Sequence, residues 1–463
     1  MQIENFKIED LKEYDRNPRK NDDVVDKMAD CIKEFGFKIP IVAKSDGSVV
    51  DGHLRLKAAR KLGMKEVPVV IAEDLTDAQI KAFRLVANQS ANWAEWDDEL
   101  LKLEFEDLKN MNFDLEFTGF DLAEIESFLN KGMEIAKDDF DDELLPNENT
   151  ASISKPGDLW LLGRHRLLCG DATRIEDVKR LMTDLSGTDS SGIDSSGTEE
   201  LADMVFCDPP YNIKIDSVIG LGSIHHDEFL MASGDMTEEE FIDFLTAAFK
   251  NLVAVSRDGS IHYHCMSWKR IYEIIVAGRS AYSEFKQLCV WNKNNGGMGT
   301  FYRSKHELIF VFKNGTAKHT NNFELGQYGR SRTNVWDYAG MNSFAERRLR
   351  SARGDDNSLL KSHPTVKPVQ LVADAILDCS TQGELILDLF GGSGTTLIAC
   401  EQTNRRCNMM EIDPKYVDTI IRRWQKHTGN KAVLESTKRP FGTSVTFISG
   451  PDNSFILEKT SCR

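Results

Sequence analysis

Residues 384–395 read Glu-Leu-Ile-Leu-Asp-Leu-Phe-Gly-Gly-Ser-Gly-Thr. The apolar part predicts a buried parallel strand, because such strands are covered on both faces and lack the alternation of half-exposed strands. The glycines allow the backbone to turn tightly and to approach a ligand, and Thr395 begins a helical pattern. The stretch therefore predicts a strand, a glycine elbow and a helix, a unit typical of α/β sheets.

This elbow differs from the two common phosphate-binding turns. A P-loop would carry Gly-Lys-Ser/Thr at the helix start, and a dinucleotide fingerprint would carry a third small residue where Leu397 stands. The pattern favours a cofactor with an amino-acid part, whose ammonium group Asp388 could hold. Glu411, after the next predicted strand, has the place of the acidic residue that binds ribose hydroxyls. For the glycines alone, an ordinary βα loop is the alternative.

A second motif, Asp-Pro-Pro-Tyr at 208–211, follows an apolar run directly. Pro209 and Pro210 fix the backbone and donate no hydrogen bond, so the carbonyls around them face a ligand or solvent. The Asp208 carboxylate and the Pro209 carbonyl could accept both hydrogens of an exocyclic amino group and localise its lone pair. Tyr211 could stack on the extruded ring. On the tetrapeptide alone, a strand-ending turn with a solvated aspartate is an equal alternative.

The two motifs together resemble the amino-group DNA methyltransferases that use S-adenosylmethionine. The catalytic tetrapeptide precedes the cofactor turn, which is similar to the permuted β-type order of that family. Residues 363–368, His-Pro-Thr-Val-Lys-Pro, resemble the segment that completes the methionine-binding pocket, and Asp171 resembles the carboxylate that meets the adenine. The cofactor-binding residues that the resemblance implies are Asp171, Thr365, Lys367, Asp388, Phe390, Gly391, Gly392, Ser393, Gly394, Thr395 and Glu411.

The resemblance covers roughly residues 156–442, and the middle segments are similar to a subfamily from phages and integrated elements that carries a ParB-like domain. It implies an α/β fold class, with a Rossmann-like S-adenosylmethionine-dependent methyltransferase sheet in permuted order and an N-terminal α+β ParB-like domain. Within residues 1–75, a strand turns into a helix at Gly52, His53 and Arg55, which is similar to the Gly-x-x-Arg turn of ParB/sulfiredoxin-like domains. Arg55 and backbone N–H groups could bind nucleotide phosphates there. Because ParB clamp proteins have a richer arginine run, positioning or dimerisation is the favoured role, with nucleotide binding as the alternative.

The net charge of −17 at first argues against a nucleic-acid partner, but the charge is unevenly distributed. Residues 1–155 hold 21 Lys+Arg and 35 Asp+Glu, a balance of −14, whereas residues 300–367 hold 12 Lys+Arg and 6 Asp+Glu, a balance of +6. Basic residues interleaved with aromatic ones predict that double-stranded DNA lies along the second stretch. The candidate DNA-binding residues are Arg303, Lys305, Arg330, Arg332, Arg347 and Arg348.

Composition divides the chain further. We expect a ParB/sulfiredoxin-like domain over 1–75, a helical extension over 76–130 that starts at the cap signal 76–79, and an acidic linker over 131–155. The methyltransferase domain is expected over 156–442, with a target-recognition region at 215–360 and a flexible Ser/Gly-rich insertion at 186–199. Residues 443–463 match no pattern.

Nine cysteines are scattered without a Cys-x-x-Cys pair, so the sequence predicts neither a disulfide framework nor a metal site. It contains neither a signal peptide nor an apolar run of transmembrane length, and we expect a cytoplasmic protein without a membrane partner. Whether it forms a homodimer is left open.

The expected function is that of a site-specific DNA methyltransferase acting on a flipped base, within or outside a restriction-modification system. Adenine N6 is favoured because the corner begins with Asp, whereas family members acting on cytosine N4 more often have Ser there. The alternatives are cytosine N4 methylation and a ParB-like DNA-binding regulatory factor with a degenerate methyltransferase domain.

Overall fold

The computed structural model describes residues 3–90, 93–94, 96–130, 133, 135–136, 151–184, 198–213, 231–293, 296, 301–323, 332–339, 366–449 and 455–461. For 184, 198–199, 444–449 and 455–461 it describes the backbone alone. The chain divides into two compact units, residues 1–131 and 132–463. Most of the expected linker (131–155) and of the expected insertion (186–199) lies outside the described residues.

The first unit contains a four-stranded sheet in the order β1-β4-β2-β3. Its strands are β1 (Ile3–Lys7), β2 (Ile41–Ala43), β3 (Val49–Asp51) and β4 (Glu66–Ile71). β4 pairs antiparallel with β1 and parallel with β2. Val67 and Val69 of β4 reach the same core as Leu56, because alternate residues of a strand point to one face. The predicted N-terminal α+β domain is confirmed.

Helices complete this unit. They are α1 (Val25–Phe35), α2 (His53–Lys61), α3 (Asp77–Gln89), α4 (Asp98–Asn110) and α5 (Leu122–Leu129). At the start of α3, the Thr76 hydroxyl accepts a hydrogen bond from Gln79 N at 3.4 Å, and Gln79 Oε1 accepts one from Thr76 N at 2.9 Å. This capping box satisfies two backbone donors that a helix start leaves unpaired. It is the start signal expected at 76–79.

The second unit is built on a ten-stranded mixed sheet in the order β13-β11-β12-β10-β9-β14-β15-β6-β5-β16. These strands are β5 (Leu159–Leu162), β6 (His165–Cys169), β9 (Ala202–Cys207), β10 (Ser256–Met266), β11 (Glu284–Asn292), β12 (His306–Lys313), β13 (Val335–Asp337), β14 (Leu385–Asp388), β15 (Arg406–Glu411) and β16 (Val433–Leu434). Two short hairpins lie outside it: β7 (Thr183–Asp184) with β8 (Thr198–Glu199), and β17 (Thr443–Ser449) with β18 (Phe455–Ser461). The second hairpin accounts for most of the tail that matched no sequence pattern.

Helices cover both faces of the large sheet. They are α6 (Ile175–Met182), α7 (Glu238–Ala254), α8 (Ile271–Ala281), α9 (Val369–Cys379), α10 (Thr395–Gln402) and α11 (Pro414–Thr428). One core layer contains residues of α9, α10 and α11, and the other contains residues of α6, α7 and α8. Because both faces are covered, β14 is buried along its whole length, as its sequence predicted.

The four strands β9, β14, β15 and β6 lie side by side and run parallel. β9 precedes β14 in sequence by most of the unit, yet the two are hydrogen-bonded neighbours. This placement matches the permuted strand order, and the predicted α/β fold is confirmed. In the part of the chain that the structure describes, no helix is both long and apolar enough to cross a membrane.

A substitution at Gly278 of α8 tests how closely that helix packs on the sheet. A Cβ at this position would lie 2.3 Å from Cζ of the buried Phe312 ring. We expect Gly278→Ala to lower the stability of the unit by about 1–3 kcal/mol, because a filled core has no room for an added methyl group. Urea unfolding measures the change. Arg279→Ala, at the exposed neighbouring position, is the control, and an equal effect of both variants would contradict this account.

Candidate active site

Four carboxylates lie at one edge of the large sheet. Asp388 and Glu411 end β14 and β15, and Asp208 and Asp171 follow β9 and β6 within two residues. Because these four strands are adjacent and parallel, their carboxyl ends meet at the same edge. Ligands of open α/β sheets bind outside that edge. The structure therefore brings together carboxylates that the sequence spreads over more than half of the chain.

The glycine elbow packs closely against β15. Gly394 has φ +84°, in the left-handed region that favours glycine, and a Cβ on Gly391 would lie 2.9 Å from Met409 Cγ. Gly392 N donates a hydrogen bond to Glu411 Oε2 at 2.8 Å. The elbow is thus tied to the acidic residue of the neighbouring strand, and a side chain at Gly391 would push them apart.

The helix behind the elbow is fixed from α11. Arg423 Nη1 donates to the Ser393 carbonyl at 2.8 Å and to Thr395 Oγ1 at 3.2 Å. Arg423 is buried, so it holds the start of α10 from inside the fold. Phe390 lies on the other side of the elbow and packs against Phe244, with 6.0 Å between ring centroids.

Asp388 is buried and Glu411 is partly buried, so both acids are largely withdrawn from water. Asp388 is 3% exposed, and its Oδ1 accepts a hydrogen bond from Phe390 N at 3.0 Å. Glu411 Oε1 accepts one from Asp413 N at 3.0 Å. Burial raises the pKa of each carboxyl group to about 7. A ligand with an ammonium group and hydroxyl donors would favour the ionised form of both groups, so this pair fits the ammonium and ribose of S-adenosylmethionine.

Asp171 lies in a local turn after β6. Its Oδ1 accepts hydrogen bonds from Thr173 N at 2.8 Å and from Thr173 Oγ1 at 2.7 Å. Gly170 N donates to the Glu411 carbonyl at 3.1 Å, which joins this turn to the end of β15. The carboxylate is therefore held beside Glu411. Thr365, expected in the same pocket, lies outside the described residues.

Asp208 forms the candidate catalytic corner with Tyr211. The Tyr211 hydroxyl donates to Asp208 Oδ1 at 2.8 Å, and Lys367 Nζ donates to Asp208 Oδ2 at 2.5 Å. Lys367 is 5% exposed. The sequence analysis expected Lys367 in the cofactor pocket, and the structure places its ammonium group on the Asp208 carboxylate. The Tyr211 ring lies beneath that ammonium group, with Nζ 5.5 Å from the ring centroid.

Two further charged residues belong to this corner, and the sequence analysis gave them no role. Glu307 Oε2 lies 3.1 Å from Lys367 Nζ and 3.3 Å from the Tyr211 hydroxyl, and Glu307 also pairs with Lys293. Glu307 is near the start of β12, and Lys293 follows the end of β11. Because these two strands are antiparallel, both residues reach the carboxyl edge. The sequence offered one signal for their role: Lys293 and Glu307 are charged residues inside segments that the family resemblance covers.

The charges of the corner are mutually dependent. Burial raises the pKa of Asp208, and Lys367 only partly opposes this effect. Burial alone would lower the pKa of Lys367, yet Asp208 and Glu307 raise it above its ordinary value. For Glu307, burial acts upward, but Lys367 and Lys293 bring its pKa down to about 2. The effect of burial on Asp208, Glu307 and Lys367 is therefore offset, to different degrees, by their pairing with opposite charges.

The candidate DNA-binding residues have different environments. Arg303 Nη2 donates to the Gly296 carbonyl at 2.9 Å, and its neighbours Phe301 and Tyr302 are 86% and 84% exposed. Lys305 is also exposed. They precede β12 and so lie near the end of the strand that carries Glu307. Arg330, Arg347 and Arg348 lie outside the described residues.

Arg332 has a different environment from the predicted one. Its guanidinium group pairs with Asp374 at 3.4 Å and with Asp378 at 3.1 Å, and it lies 4.5 Å from the centroid of the Trp336 ring. Its side chain is 15% exposed. Asp374 and Asp378 belong to α9, so Arg332 joins the segment before β13 to that helix. Arg332 therefore has internal partners in this structure, and its contact with DNA stays a prediction.

In the first unit, the candidate nucleotide site has internal partners. Gly52 has φ +98° and begins α2, as the predicted turn requires. Arg55 Nη2 donates to Asp51 Oδ2 at 2.8 Å, and His53 Nε2 accepts a hydrogen bond from Tyr14 N at 3.3 Å. Burial lowers the pKa of His53. Nucleotide binding here stays a prediction, for which Arg55 would have to share its guanidinium group with Asp51.

No cluster of His, Cys, Asp or Glu suited to a metal ion occurs among the described residues. The site that stands out is the carboxyl edge of the large sheet, with an elbow and two acids on one side and a charged corner on the other. This edge is the candidate active site, and its elbow and acids are of the kind that bind nucleotide-type cofactors in α/β sheets.

Family comparisons agree with this architecture. Residues 202–422 match the DNA methylase family, residues 99–156 a ParB-methyltransferase HTH domain, and residues 1–89 the ParB N-terminal domain. The chain carries a DNA methylase domain of the N6/N4 family behind ParB-type domains, and its cofactor is S-adenosylmethionine.

Individual relatives match about half of the chain. The Type II methyltransferase M.HpaI of Haemophilus parainfluenzae is 25% identical over 258 residues, which are 52% of this chain and 74% of that enzyme. M.HinfI of Haemophilus influenzae is 24% identical over 253 residues, covering 51% and 66%. Among solved structures, the cytosine-N4-specific PvuII DNA methyltransferase matches with a TM-score of 0.40 and 14% identity, covering 56% of this chain and 86% of that one.

Asp388→Asn separates cofactor binding from stability. We expect the dissociation constant for S-adenosylmethionine to rise by at least about tenfold, because a charge-assisted hydrogen bond is lost. The folded-state pKa of about 7 lies above the unfolded value. Wild-type stability from this group is therefore lost as pH rises towards 7, and the variant should melt at a higher temperature than the wild type at about pH 8.

Calorimetry and thermal melting measure the two effects. Asp203→Asn, at the amino end of the neighbouring strand β9, is the control and should leave cofactor affinity unchanged. Unchanged affinity in Asp388→Asn would contradict the assignment.

Arg332→Met distinguishes a structural arginine from a DNA contact. Loss of one partner of a buried ion pair should lower stability by about 3 kcal/mol, while the salt dependence of DNA binding should not change. Lys305→Met is the comparison, because loss of a phosphate contact should reduce the salt slope by about one. Binding is measured across a series of salt concentrations. A reduced slope in Arg332→Met would restore the predicted DNA contact.

Proposed function

We propose that this protein transfers a methyl group from S-adenosylmethionine to the exocyclic amino group of a flipped base in double-stranded DNA, with adenine N6 as the target atom. The observation that carries the proposal is the position of Asp208. It is a carboxylate fixed by Tyr211 and Lys367 at the sheet edge that also holds Asp388 and Glu411. An acceptor for an amino group thus lies beside acids suited to the cofactor.

The chemistry assigned to the corner is polarisation of a weak nucleophile. The amino lone pair of a base is delocalised into the ring. Hydrogen bonds from both amino hydrogens, to the Asp208 carboxylate and to the Pro209 carbonyl, localise that lone pair on nitrogen. Pro210 keeps the corner rigid. Tyr211 orients Asp208 through its hydroxyl group and offers its ring to the extruded base.

The geometry of the edge supports an assignment of the residues that would hold the cofactor. Asp388 is assigned to the ammonium group, Glu411 to the ribose hydroxyls and Asp171 to the adenine side. The backbone of Gly391–Gly394 lines the pocket between them, with Ser393 and Thr395 fixed by Arg423. S-adenosylmethionine supplies an electrophilic methyl group on a sulfonium sulfur. The residues of the chain bind and orient the cofactor and the base, and they exclude water from the site.

Covalent catalysis through Cys207 is the chemical alternative, and two observations oppose it. Burial raises the pKa of the Cys207 thiol well above its ordinary value, so a thiolate is disfavoured. Its sulfur also accepts a hydrogen bond from Leu389 N at 3.4 Å. Amino methylation requires no enzyme nucleophile, and the corner fits that reaction better.

The choice of adenine over cytosine rests on the first residue of the corner. Asp at position 208 favours adenine, by resemblance to family members that act on adenine. Cytosine N4 presents the same two donors to the same acceptors and is the second candidate. The DNA itself is proposed to lie across Arg303 and Lys305, beside the exposed Phe301 and Tyr302.

A regulatory DNA-binding protein with a degenerate methyltransferase domain is the rival from another class, supported by the ParB-type domains. Asp208, Tyr211, Gly394 and Glu411 are all present with mutually consistent geometry, and that favours an active enzyme. Nucleotide binding near Arg55 and a homodimer through the first unit remain proposals about that unit.

Transfer of tritium from labelled S-adenosylmethionine to DNA tests the proposal. After digestion to nucleosides, we expect label in N6-methyladenine, whereas label in N4-methylcytosine would correct the base and keep the mechanism. Asp208→Ala should lower kcat by about a hundredfold or more, because one preorganised group that stabilises the transition state is removed. Asp243→Ala, on the exposed face of α7, is the matched control.

Cofactor affinity is measured on the same variants. Full turnover in Asp208→Ala would remove this residue from the mechanism. Cofactor binding by the wild type without any label in DNA would favour the regulatory alternative.

A further inference from the structure

Both oxygens of the Asp208 carboxylate have partners within the chain. Oδ1 accepts from the Tyr211 hydroxyl at 2.8 Å, and Oδ2 accepts from Lys367 Nζ at 2.5 Å. A base amino group that is to bind Asp208 must therefore compete with one of them. The ammonium group carries N–H donors at the place where the amino group would put its own, so Lys367 holds the position of the substrate.

Lys367 has a second carboxylate within reach. Glu307 Oε2 lies 3.1 Å from Lys367 Nζ, and the Tyr211 hydroxyl lies 3.2 Å from the same nitrogen. An ammonium group has three donors, and here they face Asp208, Glu307 and Tyr211. The Lys367 side chain is 5% exposed and that of Glu307 is 15% exposed. If the contact with Asp208 is lost, the ammonium group therefore still has Glu307 and Tyr211 as partners.

Glu307 is itself held in place. Its other oxygen, Oε1, accepts from Lys293 Nζ, and that ammonium group lies 4.5 Å from the centroid of the Trp291 ring. Trp291 is buried, and its indole N–H donates to the Tyr338 carbonyl at 2.9 Å. Glu307 is therefore fixed from the side of β11 and does not need Lys367 to keep its position.

We propose that Glu307 is a positioning residue that lets Lys367 act as a displaceable counter-ion of Asp208. Before the base enters, the ammonium group neutralises the half-buried carboxylate. When the base enters, its amino group replaces the ammonium group at Asp208 Oδ2, and Glu307 retains the ammonium group. This inference rests on the proposed function, since it concerns access of the amino group to Asp208.

The arrangement meets two opposing electrostatic requirements at Asp208. An unpaired carboxylate in a dry site is costly and tends to take up a proton, which would end its use as an acceptor. A cation that stays on Asp208 would keep it charged but would block the amino group and weaken its polarisation. With a second carboxylate beside it, the cation can leave Asp208 without becoming an unpaired buried charge.

Glu307→Gln tests the proposal in the full-length protein. With one carboxylate left, the ammonium group should stay on Asp208, and we expect kcat for methyl transfer to DNA to fall by about tenfold or more, the factor that corresponds to about 1.4 kcal/mol. The KM for DNA and the dissociation constant for S-adenosylmethionine should change little, because neither depends on this contact. Glu384→Gln, at the amino end of β14 beside Arg257, is the matched control.

The decisive variant is the double substitution of Glu307→Gln with Lys367→Met. Removal of the ammonium group frees Asp208 but leaves its carboxylate unpaired, so the comparison is made at alkaline pH, where Asp208 is ionised. There the double variant should turn over at least about threefold faster than Glu307→Gln alone, a non-additive effect of residues in contact. A residue that only stabilises the fold would give the opposite order. If thermal melting shows that Glu307→Gln does not fold, Glu307→Asp, which shortens the side chain by one methylene, replaces it in the same pair.

The outcomes separate the two proposals. Label in DNA from the wild type, with equal kcat in Glu307→Gln, would overturn the counter-ion role and leave the proposed function standing. A double variant no faster than Glu307→Gln would also overturn it. No label in DNA from the wild type would overturn the proposed function, and the counter-ion role with it. A slow single variant and a faster double variant would support the inference.

Discussion

The parallel pairing of β9, β14, β15 and β6 is the constraint on which the site depends. Hydrogen bonds between these strands set their register, so four chain segments that are far apart in sequence end at the same level. Each of them carries an acid at or just beyond its end. The backbone pattern thus concentrates negative charge at one edge, where the glycine elbow leaves room for a ligand. A shift of one residue in any pairing would turn the acid towards the opposite face.

Several carboxylates placed close together are energetically unfavourable, and the structure offsets this in two ways. At the cofactor side, Asp388 and Glu411 have raised pKa values because they are buried, and backbone N–H groups partly compensate. At the base side, lysines neutralise the charge: Lys367 pairs with Asp208 and Glu307. The first arrangement leaves the acids ready for a cationic ligand. In the mechanism that we propose, the second keeps Asp208 ionised until the base arrives.

Much of this site could be predicted from the sequence, because local patterns carry it. The elbow required glycine at Gly394, whose φ is positive, and the acid of Glu411 followed from its place after the next strand. Contacts between distant segments could not be predicted. Glu307 reaches Lys367 and Tyr211 only because β12 runs antiparallel to its neighbours. Arg332 is basic but pairs with α9 instead of facing solvent. A count of charges cannot distinguish such an internal ion pair from a DNA contact.

A crystal structure of the protein with bound S-adenosylmethionine would test the central claim most directly. The claim is that the carboxyl edge of these four strands binds the cofactor beside the amino-group acceptor. The account predicts the cofactor ammonium group on Asp388, the ribose hydroxyls on Glu411 and the methyl group directed towards Asp208. A cofactor bound elsewhere, or bound at this edge with its methyl group directed away from Asp208, would contradict it.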